Sequence, residues 1–207
     1  MPSSLTRRAK TLSLILGFLF GVVGAVWSLV VVDRQGDEMK RLSDTRAELA
    51  RQVESLNAIA SEYFIANQQG DLIFMLAQQG SARADLGSLI YQGNLLDRAT
   101  PVRNMIGALA MAKQLDYRKA YDAYAKLNVE ARANLSWENF VKLKETERAV
   151  ITAGQERVPL LLNGMFELER QINANGAAQR RNRLIGLVSA VFGNLLLLLA
   201  NLIAERD

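Results

Sequence analysis

The chain has 207 residues, half of them hydrophobic, with 25 Lys and Arg against 21 Asp and Glu. It has no Cys and no His, which excludes disulfides, thiolate or imidazole metal sites, and the usual triads built on histidine. The mild net charge of +4 comes without a long basic tract, so neither nucleic acid nor a cofactor is expected as a ligand, and an enzymatic role is not expected.

A tail, residues 1–10, carries Arg7, Arg8 and Lys10 ahead of an uncharged run at 11–32. That run matches the ~20 residues a helix needs to cross a ~30 Å hydrocarbon core. It continues well past the small residues Val23-Gly24-Ala25, so an uncleaved anchor is expected rather than a signal peptide. Gly17, Gly21 and Gly24 give it a face that a second helix can approach closely.

Beyond it, Met39, Leu42, Arg46, Leu49, Val53, Leu56, Ala60 and Tyr63 alternate in steps of three and four. This is a heptad seam with Arg46 as its polar intruder, read as a register residue. The first bundle helix is predicted at 33–68, stopped by Gly70, with Asp71 capping the next. A second helix is predicted at 72–96; its Gly80, Gly87 and Gly93 mark close packing or a break near Gly80-Ser81. Thr100-Pro101 reads as the start of a third helix, 101–132, inside which Asp116 is able to cap a fresh one. Ser136 opens a fourth, 137–175, with a seam at Phe140, Leu143, Glu147, Val150, Gly154, Val158, Leu161, Met165, Leu168 and Ile172. Pro159 is predicted to kink it and Asn175-Gly176 to interrupt it.

A second uncharged run follows at 184–203, then a short tail at 204–207. Gly186, Ala190 and Gly193 supply a small face that answers the first run's glycines. The leading expectation is that the two runs pack together within one chain; dimerisation through the same faces is the alternative. Asn194 and Asn201 are costly in lipid and are expected to face protein: the first run, a second copy, or another membrane protein.

The expected fold is all-α: two transmembrane helices continuing into an up-down-up-down four-helix bundle at 33–183. Basic residues flank both runs on the bundle side, but the positive-inside rule weakens for loops beyond ~60 residues. Both termini are expected in the cytoplasm and the bundle outside. Glu145, Glu147 and Glu156, with Arg148 and Arg157, read as solvated ion pairs rather than an acid–base pair. Tyr117, Tyr121 and Tyr124 have helical spacing and read as core.

With LTRRAK before the first run, VVVDRQGDEMKRL after it and NGAAQRRNRLIG before the second, the chain resembles the four-helix-bundle sensor region of bacterial methyl-accepting chemotaxis receptors. The resemblance implies an inner-membrane protein with a periplasmic bundle, in which a ligand or partner biases the packing of first against fourth helix and shifts the second span. Two features depart from the family. The HAMP linker and signalling hairpin do not follow 203, so output is expected to pass laterally to a partner membrane protein. The distal SEYFIANQQGD also lacks the arginines with which amino-acid-binding members hold a carboxylate. A small-molecule ligand or a partner at the distal tip would meet Tyr63, Phe64, Tyr124 and Trp137. The expected partners are the lipid bilayer, a second copy forming a homodimer, and another integral membrane protein. The competing role is a structural accessory or scaffold subunit of a larger membrane complex.

Overall fold

The structure is a computed structural model that describes residues 4–78 and 84–205. These fold as α1 (Ser4–Val26), a π-helical segment (Trp27–Val32), α2 (Asp33–Gln78), α3 (Ala84–Met111), α4 (Tyr117–Ala133) and α5 (Trp137–Glu205), with no strand among the described residues. The chain divides into two compact units, Met1–Ala47 with Phe166–Asp207, and Glu48–Met165. Helices α2 and α5 contribute to both.

The first unit holds the two apolar runs. Both lie in helices long and apolar enough to cross a membrane, with mean hydropathies of 2.5 and 2.1. Only 17% of each apolar stretch is buried, so side chains such as Phe18, Leu29, Leu187 and Leu198 lie on the outside. An apolar surface of that extent marks an interaction with lipid or protein.

The two runs meet through their small residues. A Cβ added to Gly17 would lie 2.9 Å from the Gly193 carbonyl oxygen, and one on Gly24 2.9 Å from that of Gly186. A Cβ on Gly193 would lie 2.7 Å from both Gly17 O and Gly21 N. Backbone therefore meets backbone along Gly17, Gly21 and Gly24 against Gly186, Ala190 and Gly193, and dispersion between such surfaces is what holds helices together where the hydrophobic effect is absent. Phe20 and Phe192 add an edge-to-face ring contact at 5.2 Å.

The π-helical segment has a packing reason. In α1 the contact positions with α5 are Gly17, Gly21 and Gly24; further on they are Ser28, Val32 and Gly36. From Gly24 to Gly36 they advance by four each time, too slowly for an α-helix to keep them on one side. A π turn is wider and holds such a row in line. Gln179 Nε2 donates to the Val32 carbonyl at 3.2 Å where the segment ends, and Asn182 Nδ2 donates to Gln35 Oε1 at 3.1 Å. Farther along, Met39 faces Gly176 and Arg46 reaches Glu169 at 3.3 Å, so α2 and α5 run antiparallel here. No interruption occurs at Asn175-Gly176: α5 is continuous to Glu205, because Gly176 serves the approach of Met39 rather than a turn.

The second unit has a core drawn from α2, α3, α4 and α5, including Leu56, Phe74, Leu95, Ile106, Tyr124, Leu143 and Ile151. Phe74 is stacked on Phe140 at 4.0 Å and meets Tyr91 edge-on at 5.3 Å. The seam residues of both long helices, Met39 to Tyr63 and Leu143 to Leu168, are buried or half-buried.

Several predicted boundaries are corrected. Helix α2 does not turn at Gly70-Asp71; its seam simply continues through the buried Gly70, Phe74 and Ala77, and Asp71 pairs with Lys144 at 2.6 Å instead of capping. The suggested break at Gly80-Ser81 lies outside the described residues. Pro101 does not open a helix but sits inside α3, and α5 likewise runs through Pro159. The expected long third helix is divided at 112–116, where Gln114 N bonds Leu109 O and Lys113 N bonds Ala110 O with Lys113 at φ 56°. This is a Schellman stop built without glycine. Asp116 then caps α4, its carboxylate accepting from Lys119 N at 3.1 Å, and the Ser136 hydroxyl accepts from Asn139 N at 3.2 Å to open α5.

Two outcomes are expected. Lys113→Gly removes the left-handed penalty of a residue with a Cβ and should stabilise the protein by about 1 kcal/mol in thermal unfolding of the detergent-solubilised chain. Gly193→Val should separate the apolar helices and cost about 1–3 kcal/mol, whereas Gly21→Ala, whose Cβ meets nothing within 4 Å, should be tolerated.

Candidate functional site

The candidate site lies within the second unit, where four helical segments converge on one ion pair. Arg98 of α3 and Glu147 of α5 are both 0% exposed, with Nη2 3.1 Å from Oε2. The contact is electrostatic rather than a well-aligned hydrogen bond: Oε2 and all three guanidinium nitrogens lack an oriented hydrogen-bond partner. Tyr124 of α4 donates its hydroxyl to Glu147 Oε1 at 3.3 Å, and Asn128 Nδ2 donates to that hydroxyl at 3.4 Å.

Helix α2 forms the opposite wall. Gly70 lies against the polar side chains of α3: a Cβ there would fall 2.6 Å from Asn94 Oδ1 and 2.8 Å from Arg98 Nη1. Asn94 Nδ2 donates to the Ala66 carbonyl at 2.9 Å, tying α3 to α2 one turn away. Tyr63 of α2 completes the enclosure and is 1% exposed. A bulkier residue at 70 would push the guanidinium out of its place.

Burial sets the electrostatics. It raises the Glu147 carboxyl above its ordinary value of 4.5, and the opposing attraction of Arg98 does not cancel that effect. Desolvation also raises the hydroxyls of Tyr63 and Tyr124, reinforced by the Glu147 charge, and pushes Tyr91 up to about 12. The phenols therefore stay protonated, and those of Tyr63 and Tyr124 remain donors toward the carboxylate. A buried pair with few supporting hydrogen bonds contributes little net stability, yet removing one partner strands the other charge.

The predicted site residues separate into three places. Tyr63 and Tyr124 are brought together around Glu147, inside the core. Phe64 and Trp137 stand outside: Trp137 is exposed over Phe74 and Phe140 at 5.8 and 5.5 Å. No single distal pocket unites the four. Arg46 pairs with Glu169 at a half-exposed position, where such a contact is worth at most ~1 kcal/mol. Glu147 is not a solvated partner of surface arginines, as its neighbours Glu145 and Glu156 suggested, because its seam position turns it inward. Tyr117 is half exposed and stacks on Tyr121 at 5.6 Å rather than entering the core.

Arg98 escaped the sequence reading. Its signal was present: Tyr91, Leu95, Arg98, Val102, Met105 and Leu109 are spaced by three and four, and all are buried. Placing a helix start at Pro101 cut that seam in two. Among the described residues no cluster of carboxylates suited to a metal ion occurs. No protein-family model, curated protein or solved structure matches the chain.

Glu147→Gln and Arg98→Met should each destabilise the protein by about 3–5 kcal/mol, while the double substitution should be near neutral or stabilising. Denaturation of the four species in a double-mutant cycle checks this. Because the folded-state carboxyl is raised, protonation of Glu147 favours the folded chain fully below pH ~4.5, and that contribution is lost as pH rises through the folded value. The stability gap between wild type and Glu147→Gln should therefore widen as pH is lowered toward 4.5 from neutrality, and a gap independent of pH would contradict a raised carboxyl.

Proposed function

We propose that the chain is a membrane-anchored sensory or interaction module, non-enzymatic, with both apolar helices spanning a bacterial inner membrane and the second unit folded as an up-down-up-down four-helix bundle on the periplasmic side. The observation that carries the reading is that α5 belongs to both units: it bears Glu147 in the core of one and the apolar run 184–203 in the other. Displacement of Glu147 from Arg98 acts on the same helix that carries the second run. The antiparallel pairs Ala66–Asn94 and Asp71–Lys144, with α3 parallel to α5 at Arg98–Glu147 and Met105–Gly154, support the bundle topology. The architectural likeness to chemoreceptor sensor regions agrees with it.

Sensing requires two packings of similar energy. A buried pair with unfilled hydrogen-bonding capacity supplies the near-balance: a ligand or partner that completes those bonds, or draws the helices apart, has a lever on α5. The distal surface residues Phe64 and Trp137 are the place for such a contact, and a partner membrane protein is the recipient of the signal. A scaffold subunit bracing a larger complex is the second reading, favoured by the large apolar surface of the first unit.

Alkaline extraction should leave the full chain in the membrane pellet. The absence of native cysteine makes a single Met111→Cys, at an 88% exposed position, a clean topology reporter. It should react with an impermeant maleimide in intact spheroplasts; labelling only after lysis would overturn the periplasmic placement. Co-purification of a stoichiometric set of other subunits, with no change when Glu147 is replaced, would favour the scaffold.

A further inference from the structure

Six residues on the second apolar run form a seam that its pairing with α1 leaves uncovered. Leu184, Leu187, Val191, Asn194, Leu198 and Asn201 follow one another at steps of three, four, three, four and three, and every one is exposed. The face that meets α1 is a different one, centred on Gly186, Ala190 and Gly193. At 100° per residue the two faces are turned apart by about 100° around the helix. Neither Asn194 nor Asn201 makes a side-chain hydrogen bond among the described residues.

We infer that this seam is the interface between two copies of the chain, packed in parallel with Asn194 opposite Asn194 and Asn201 opposite Asn201. The inference rests on the proposal that the run spans a membrane. In lipid an amide without a partner is costly, and two in one heptad register raise that cost together. The occupant follows from amide chemistry. Each carboxamide carries both donor and acceptor, so an Asn on a two-fold axis complements itself, which a carboxylate or an ammonium does not. Copies of one chain insert in the same orientation, so a parallel two-fold places equal residues at equal depth. The apolar members of the stripe fill the knobs-into-holes positions between the amides, and a polar residue repeated at one heptad position fixes the register. The intramolecular glycine face remains occupied by α1, so the dimer brings four helices together rather than exchanging one contact for another.

Two single-cysteine variants of the full chain test the face. In native membranes treated with an oxidant, Leu198→Cys on the seam should form a disulfide-linked dimer, and Leu199→Cys, exposed but turned about 100° from it around the helix, should not. Replacing both amides, Asn194→Leu with Asn201→Leu, should weaken self-association by roughly tenfold or more, read by energy transfer between labelled copies in bilayers. The double variant makes the helix more apolar, so it stays in the membrane pellet. Equal crosslinking at 198 and 199, a monomer in the bilayer, undiminished association after amide replacement, or crosslinking of Leu198→Cys only to a different protein would each overturn the homodimer seam and leave the membrane reading intact. Recovery of the wild-type chain in the soluble fraction after alkaline washing would overturn both.

Discussion

The ion pair between Arg98 and Glu147 is the constraint around which the second unit is arranged. Both charges are withdrawn from water, and neither is surrounded by the hydrogen bonds that would repay its desolvation. The rest of the core has to hold them together. Helix α4 brings Tyr124 and Asn128 to the carboxylate, α2 gives up a side chain at Gly70 so that the guanidinium fits, and Asn94 ties α3 to α2 beside it. A register slip of any of these helices by one residue exposes or strands a charge. The pair thus selects one alignment of four segments from the many that an apolar seam of Leu, Val and Ala would accept.

A different force organises the first unit. Its outer surface is apolar, so burial of apolar area gives little reason for the two runs to meet if that surface is solvated by lipid. They meet because Gly17, Gly24 and Gly193 let backbones approach to distances that any Cβ would forbid. The π-helical segment then carries the contact row from this glycine face into the heptad seam of α2, which would otherwise leave α5 by a fraction of a turn.

Much of this was legible in the sequence. Uncharged runs of the right length, small residues at steps of four and three, and the a/d stripes each follow from periodicity, and Asp116 and Ser136 are capping residues whose side chains have few other uses next to a helix. What was not legible turns on residues with two meanings. Gly70 reads equally as a helix stop and as room for a neighbour, and only the tertiary partner on α3 decides. Thr100-Pro101 has the chemistry of a helix start, yet α3 tolerates the proline because Ala99, Val102, Met105 and Ile106 are all buried around it. The Schellman stop at Lys113 lacks the glycine that would announce it. Reading a helix start at Pro101 divided the seam of α3 and hid Arg98, the partner that explains why Glu147 occupies an apolar stripe.

The same device recurs in three seams, with different consequences. Each has apolar residues at steps of three and four and a polar group among them: Arg98 in α3, Glu147 in the bundle part of α5, Asn194 and Asn201 in its apolar part. The two charged members answer each other within the chain, across helices whose alignment they define. The amides make no side-chain hydrogen bond among the described residues, and the face of α1 that meets α5 is built on Gly17, Gly21 and Gly24. A polar group in a seam costs stability unless it is matched, and its use lies in refusing every arrangement but the matched one. For Arg98 and Glu147 the refused arrangements are wrong alignments of the bundle. In the homodimer we infer, the arrangement the asparagines refuse is the single chain in lipid, and the second copy satisfies them.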